Sequence, residues 1–243
     1  MRIIWMAGLW AAGLAGGATA QAVDVTGGEL RFGYERMAGE EGGDTPSKTS
    51  LEGAMSFGFG DRFGAQADLA LDRFNAEGEY GQSLAAHGAL AISPLTHVGV
   101  FAGYETAGDA DVTFFGGEVA VETGVTAIEG YVLAGTEHDS GAEGTVWGLE
   151  GHQGITPQLD LGGRLNLGSF GDDVDVTRIG VTAGYRLGPA ARIEAELGTA
   201  DVDVQGLGRR DDAYLGVQAT FTFGPGQGST FGRRGLLDII PGG

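Results

Sequence analysis

Hydrophobic and polar residues alternate along most of the chain, from Glu29 to Phe223. Leu159, Leu161, Gly163, Leu165 and Leu167 fall on one parity, and Asp160, Gly162, Arg164, Asn166 and Gly168 on the other. Ile179, Val181, Ala183, Tyr185 and Leu187 are set the same way against Arg178, Gly180, Thr182, Gly184 and Arg186, and Phe63, Ala65, Ala67, Leu69 and Leu71 against Gln66, Asp68 and Asp72. The last such segment places Ala213, Leu215, Val217, Ala219, Phe221 and Phe223 opposite Tyr214, Gln218, Thr220 and Thr222. A repeat of two marks a strand with unlike faces, because successive side chains leave a strand on opposite sides. The segments predict about twelve strands of roughly 9–12 residues, close to what a tilted strand needs to cross a bilayer. Two are less regular: Tyr131 and Leu133 share a face with Glu129, and the Gly116-Gly117 pair leaves room for a bulge.

The connections alternate in length. Long ones at residues 38–47, 74–82, 107–111, 138–144, 170–175 and 200–212, the last the longest, are separated by tight ones at 60–61, 93–95, 123–125, 155–157 and 188–190. A meander has one long-loop end and one short-turn end, whereas a sandwich with crossing connections has no reason to keep that parity. An up-and-down antiparallel barrel follows, with both ends of the strand region on the short-turn side.

Which face looks inward depends on the charges. Asp68, Glu118, Glu122, Glu150, Arg164, Arg178 and Arg186 lie on the polar parity, and a face so charged must meet water or its own counter-charges. Phe57, Phe59, Phe63, Tyr104, Phe115, Tyr185, Phe221 and Phe223 sit on the apolar parity near strand ends, where interfacial girdles form in membrane barrels. The expectation is an all-β transmembrane barrel with its apolar side outward; a secreted barrel or sandwich with an apolar interior is the alternative.

The N-terminus fits export. Arg2 precedes a mostly apolar run over residues 3–17, which ends in Ala18-Thr19-Ala20-Gln21-Ala22, the plan of a cleavable secretory signal and short for a membrane helix. No later window supplies the roughly 18 continuous apolar residues of a spanning helix. Among the 243 residues are 14 Lys and Arg against 33 Asp and Glu, a net charge of −19, which argues against nucleic acid as a partner. The absence of cysteine removes disulfide scaffolds, zinc ribbons and thiol nucleophiles. The 48 glycines, without a triplet period, exclude collagen.

The closing strand, Tyr214-Leu215-Gly216-Val217-Gln218-Ala219-Thr220-Phe221, looks like the assembly signal of Gram-negative outer-membrane β-barrels. The chain resembles that porin-like superfamily over Glu29 to Phe223. The resemblance implies an outer-membrane location, contact with lipid and lipopolysaccharide, and insertion by the barrel-assembly machinery. It divides the chain into a signal peptide (1–22), a barrel (23–223) and a periplasmic C-terminal tail (224–243). Members of the superfamily usually stop at a terminal aromatic residue, whereas this chain continues through Gly-Arg-Arg-Gly-Leu-Leu-Asp-Ile-Ile-Pro at residues 232–241. That tail is read either as disordered or as docking into the lumen or onto a partner.

The strand register puts Asp68, Asp72, Glu118, Glu122, Glu129 and Glu150 inward on early and middle strands, and Arg164, Arg178, Arg186 and Arg192 inward on three late ones. Opposed charges across a water-filled lumen orient polar solutes and discriminate by charge. Small barrels with arginine tracks resemble channels for acidic sugars. The expected function is a small porin-like channel for polar solutes, anionic ones among them, lined by these ten residues. The alternative is a non-conducting barrel, its charges mutually paired, with a structural or surface-interaction role.

Enzymatic and metal chemistry are weaker readings. His138-Asp139-Ser140, with Glu143 or Glu150 to orient the base, resembles the histidine–serine pair of barrel lipases and deacylases. Gly141 stands where those enzymes carry asparagine, so no enzyme is expected. His87, His97 and His152 are scattered over different strands, and neither a metal site nor a cofactor is expected. Loop acids at Asp109, Asp111, Asp172, Asp173, Asp175, Asp201 and Asp203 could bridge divalent cations to lipid phosphate, and Arg209-Arg210 could contact that phosphate directly.

Overall fold

The structure, a computed structural model, describes residues 23–38, 45–75, 78–171, 174–206, 208–225 and 228–240. The expected signal segment and the loop acids Asp172 and Asp173 lie outside them. Twelve strands succeed one another: β1 (Val23–Met37), β2 (Ser47–Phe59), β3 (Phe63–Phe74), β4 (Tyr80–Ser93), β5 (Thr96–Ala107) and β6 (Ala110–Thr123), then β7 (Thr126–Glu137), β8 (Glu143–Gly154), β9 (Leu159–Phe170), β10 (Val174–Gly188), β11 (Ala191–Val204) and β12 (Gly208–Phe223). Each pairs antiparallel with its sequence neighbours, and β12 pairs with β1 from Gly28 opposite Phe223 to Met37 opposite Tyr214, so the sheet closes into a barrel. Closure leaves no strand edge unpaired, as a sheet surrounded by hydrocarbon requires. No helix occurs among the described residues.

The strands run longer than their alternation, and the extra length is gained mainly at the long-connection end. The connection expected to be the longest is mostly ladder: Ala200 faces Asp212 and Val204 faces Gly208. Ion pairs of Arg209 with Asp201 and Arg210 with Asp212 decorate this hairpin. Pairing continues there without an alternation signal because both faces meet water once the strands leave the apolar layer. The Gly116-Gly117 pair makes no bulge, since β6 keeps continuous register with both neighbours. Gly116 makes room for the Phe101 ring and Gly103 for the Phe114 ring, and a Cβ at either position would collide with it.

The two faces are inverted relative to a water-soluble barrel. Leu30, Phe32, Leu69, Leu84, Val100, Phe115, Trp147, Val181, Leu197 and Leu215 are exposed on the outside, whereas Gln66, Asp68, Asp72, His87, Glu105, Glu118, Asp160, Arg178 and Glu196 are buried within. An apolar belt around the whole circumference far exceeds the patches of soluble monomers and matches a hydrocarbon environment. Two regions inside are apolar: Phe101, Phe114, Leu133, Val146 and Val176 form a cluster toward the long-connection end, completed by Ile239 from beyond the last strand, and Phe231, also from beyond it, packs with Ala89 and Ala120. Leu133, irregular in the sequence pattern, is therefore inward like Glu129, with an apolar partner in the lumen.

Candidate functional site: the lumen and the segment inside it

All four predicted arginines face the lumen, but their partners stand on nearby strands and not across it. Arg164 reaches Glu150 at 3.1 Å and Glu196 at 3.3 Å. Arg178 bonds Glu35 at 2.7 Å, Glu196 at 3.1 Å and the Tyr214 hydroxyl at 3.0 Å. Arg192 bonds Asp160 at 2.6 Å and also Glu194. Arg186 is the loosest, 4.0 Å from Asp160 with a side chain 47% exposed. The expected field between an arginine wall and an acidic wall is thus largely cancelled locally. Glu35, Asp160, Glu194 and Glu196 were not among the expected site residues. Their parity with Arg31, Arg164 and Arg192 was the available signal, since cross-strand neighbours of one parity share a face.

On the opposite wall Asp68 and Glu118 flank His87, at 2.9 Å from Nε2 and 2.7 Å from Nδ1. The Nδ1 contact with Glu118 has hydrogen-bond geometry, whereas Nε2 faces Asp68 without a hydrogen bond. Asp72, Glu105 and Glu129 meet cations that no described strand supplies, and Glu118 and Glu150 each meet a second one besides their strand partner. Glu122 lines the rim near the short-turn end and makes no ion pair among the described residues.

Those cations come from the tail. After β12 the chain turns back into the barrel, and residues 229–240 run up the lumen from the short-turn end. Arg233 reaches Asp72 at 2.8 Å, Glu52 at 3.2 Å, Asp238 at 3.2 Å and Glu105 at 3.9 Å. Arg234 bonds Glu118 at 3.0 Å and Glu129, lies 4.0 Å from Glu150, and stacks 4.3 Å over the Tyr131 ring.

The wall also grips the tail's backbone. Gln66 Oε1 accepts from the Thr230 and Phe231 amides at 2.9 and 3.0 Å, and its Nε2 donates to the Phe231 carbonyl at 2.9 Å. Glu129 accepts from the Gly232 amide at 2.9 Å, and Glu105 from Leu236 and Leu237 at 2.7 and 3.3 Å. Lys48 donates to the carbonyls of Leu237 and Ile240 at 2.9 and 3.0 Å, and Arg178 to that of Asp238 at 2.7 Å. Phe231 stacks on His87 with ring planes 17° apart, while Ile239 fills the apolar cluster.

What stays open lies to one side of the tail. A cavity of about 590 Å³ at the short-turn end is lined by Arg31, Glu129, Arg164, Arg186, Arg192 and residues 228–232. A pocket of about 80 Å³ continues from it between the tail and Glu35, Glu52, Arg164 and Glu196. The lipase-like tripeptide forms no dyad: His138 Nε2 lies 2.7 Å from Thr113 Oγ1, and the Ser140 hydroxyl bonds Glu137. Among the described residues no group of three or more His, Cys, Asp or Glu side chains is arranged to hold a metal ion.

No protein-family model matches the chain, and no curated protein matches it in sequence. Solved structures do share its fold. The KdgM porin is 10% identical with a TM-score of 0.60, covering 80% of this chain and 99% of its own. The NanC porin is 11% identical with a TM-score of 0.60, covering 80% and 98%. The COG4313 outer membrane channel from Pseudomonas putida F1 is 15% identical with a TM-score of 0.59, covering 84% and 97%. The chain thus has the fold of small outer-membrane barrels.

Proposed function

We propose that the protein is a small outer-membrane channel for polar solutes, anionic ones among them, held closed in this structure by its own C-terminal segment. The observation that carries the reading is the polar, charge-lined interior of a barrel whose apolar side faces outward, with an open vestibule where Arg164, Arg186 and Arg192 meet water. In this reading Arg164, Arg178, Arg186 and Arg192, with Asp68, Asp72, Glu118, Glu122, Glu129 and Glu150, are charged side chains of the path once the tail has left it. A related fold has been solved as the KdgM porin in complex with oligogalacturonate, 10% identical with a TM-score of 0.59 over 80% of this chain and 99% of its own, which supports anionic saccharides as solutes to try first. In this reading residues 1–22 direct export, the assembly machinery reads β12, and the outer belt contacts lipid and lipopolysaccharide.

Planar-bilayer recording on the folded full chain, before and after cleavage of a protease site placed between Gly224 and Ser229, tests it. Small or brief currents are expected before cleavage and sustained current after the tail is washed out. The tail's occupation of the lumen favours a second reading, a non-conducting envelope barrel. Absence of current from the cleaved, tail-free, folded barrel would establish that reading instead.

A further inference from the structure

The tail is held as a ligand is held, not as a strand is. Among the described residues no backbone–backbone hydrogen bond joins residues 229–240 to the barrel, and every ladder bond, including the β1–β12 closure, is made without them. Its attachments are side chains of the wall gripping its backbone, a Ser229 hydroxyl bond to Glu29, two guanidinium sites and two apolar pockets, one for Phe231 and one for Ile239. The guanidinium sites are made by different strands. Arg233 turns to acids of β2, β3 and β5, and Arg234 to acids of β6, β7 and β8. The two arginines are adjacent in sequence and turn to different sets of strands, so the two sites together read an Arg-Arg dipeptide. Ile239 then sits among Phe114, Leu133, Val146 and Val176, five residues beyond Arg234.

We propose that the lumen is a peptide-binding site, selective for a segment with two consecutive arginines followed by aliphatic residues that turn back at Leu236–Ile239, and that the tail is its cis ligand, exchangeable with a peptide of the same chemistry. Planar guanidiniums suit the site because each is shared among several carboxylates, and Arg234 also sits over the Tyr131 ring. Asp72, Glu105 and Glu129 have no cation from the barrel within salt-bridge distance among the described residues. An empty lumen is thus left with uncompensated buried acids that favour a cationic occupant. The inference concerns binding and does not require that the lumen conduct.

The test uses the full chain with the cleavable sequence between Gly224 and Ser229, folded and then cut, and a fluorescent synthetic peptide of residues 228–240. After cutting, excess peptide should displace the tail and bind saturably, with one site per barrel, whereas the uncut chain should bind none. A peptide with Arg233→Gln and Arg234→Gln should bind roughly a hundredfold more weakly, as expected for removing the partners of buried carboxylates. Equal binding of the two peptides, equal binding to cut and uncut chains, or a cut tail that never exchanges would overturn the proposal. Should the inserted site impair folding, full chains carrying the two glutamine substitutions in place should themselves admit the wild-type peptide; failure to do so counts against it. A barrel that binds peptide yet passes no current sinks the channel reading alone, and one that conducts but binds no peptide sinks this one alone.

Discussion

At the scale of single residues, lumenal arginines that look alike in the sequence separate by how completely they are enclosed. Arg178 is 1% exposed and ties together β1, β11, Tyr214 and the tail carbonyl of Asp238. Arg178→Ala removes the 2.7 Å partner of Glu35, which keeps only Lys48 at 3.4 Å, and leaves Glu196 with Arg164 as its one cation among the described residues, so it should destabilise the barrel by about 3 kcal/mol, read from urea unfolding of vesicle-inserted protein. Arg186, half exposed with one distant partner, contributes under about 1 kcal/mol to stability. In the opened channel Arg186→Gln should instead move the reversal potential toward cation preference. Unchanged selectivity with unchanged folding would remove Arg186 from the path. Both arginines were legible as inward-facing, because parity is a local property. Their different roles were not, because Glu35 lies 143 residues from Arg178 along the chain.

At the scale of strands, the solvent on each side sets the pattern. Leu197, near the middle of β11, is 59% exposed on the outer face, while its neighbour Glu196 is buried inside. Leu197→Arg should cost about 2–4 kcal/mol in a bilayer, because a cation at mid-depth meets hydrocarbon. The same unfolding measurement applies, and a neutral result would mean that this face meets water or protein. Twelve strands and a barrel ending at Phe223 could be read from alternation and turn parity. The extent of the strands could not, because beyond the apolar layer the ladder between β11 and β12 persists with charges on both faces. The glycine pair misled for a related reason: room for the Phe101 ring and slack for a bulge leave the same mark in a sequence.

At the scale of the whole molecule, the tail decides both access and charge. Arg233 and Arg234 are two of only 14 basic residues in the chain, yet they face most of the acids of β2, β3 and β5 to β8. Releasing the tail should therefore make the opened lumen more cation-selective than the arginines of β9 to β11 alone suggest, a shift measurable as reversal potential across a salt gradient. A shift toward anions would place those carboxylates away from the path.

The order of residues alone determined the inverted barrel. Two unlike solvents impose a period of two on every strand, residue by residue, and short turns alternating with long ones then leave a meander as the simplest arrangement. Only the closed tertiary structure decided which charges meet. Pairing across a lumen joins residues as distant as Asp72 and Arg233, 161 apart, and nothing in the local pattern of either marks the other as its partner. The same holds for the tail, whose place among buried acids follows from the cavity that closure creates.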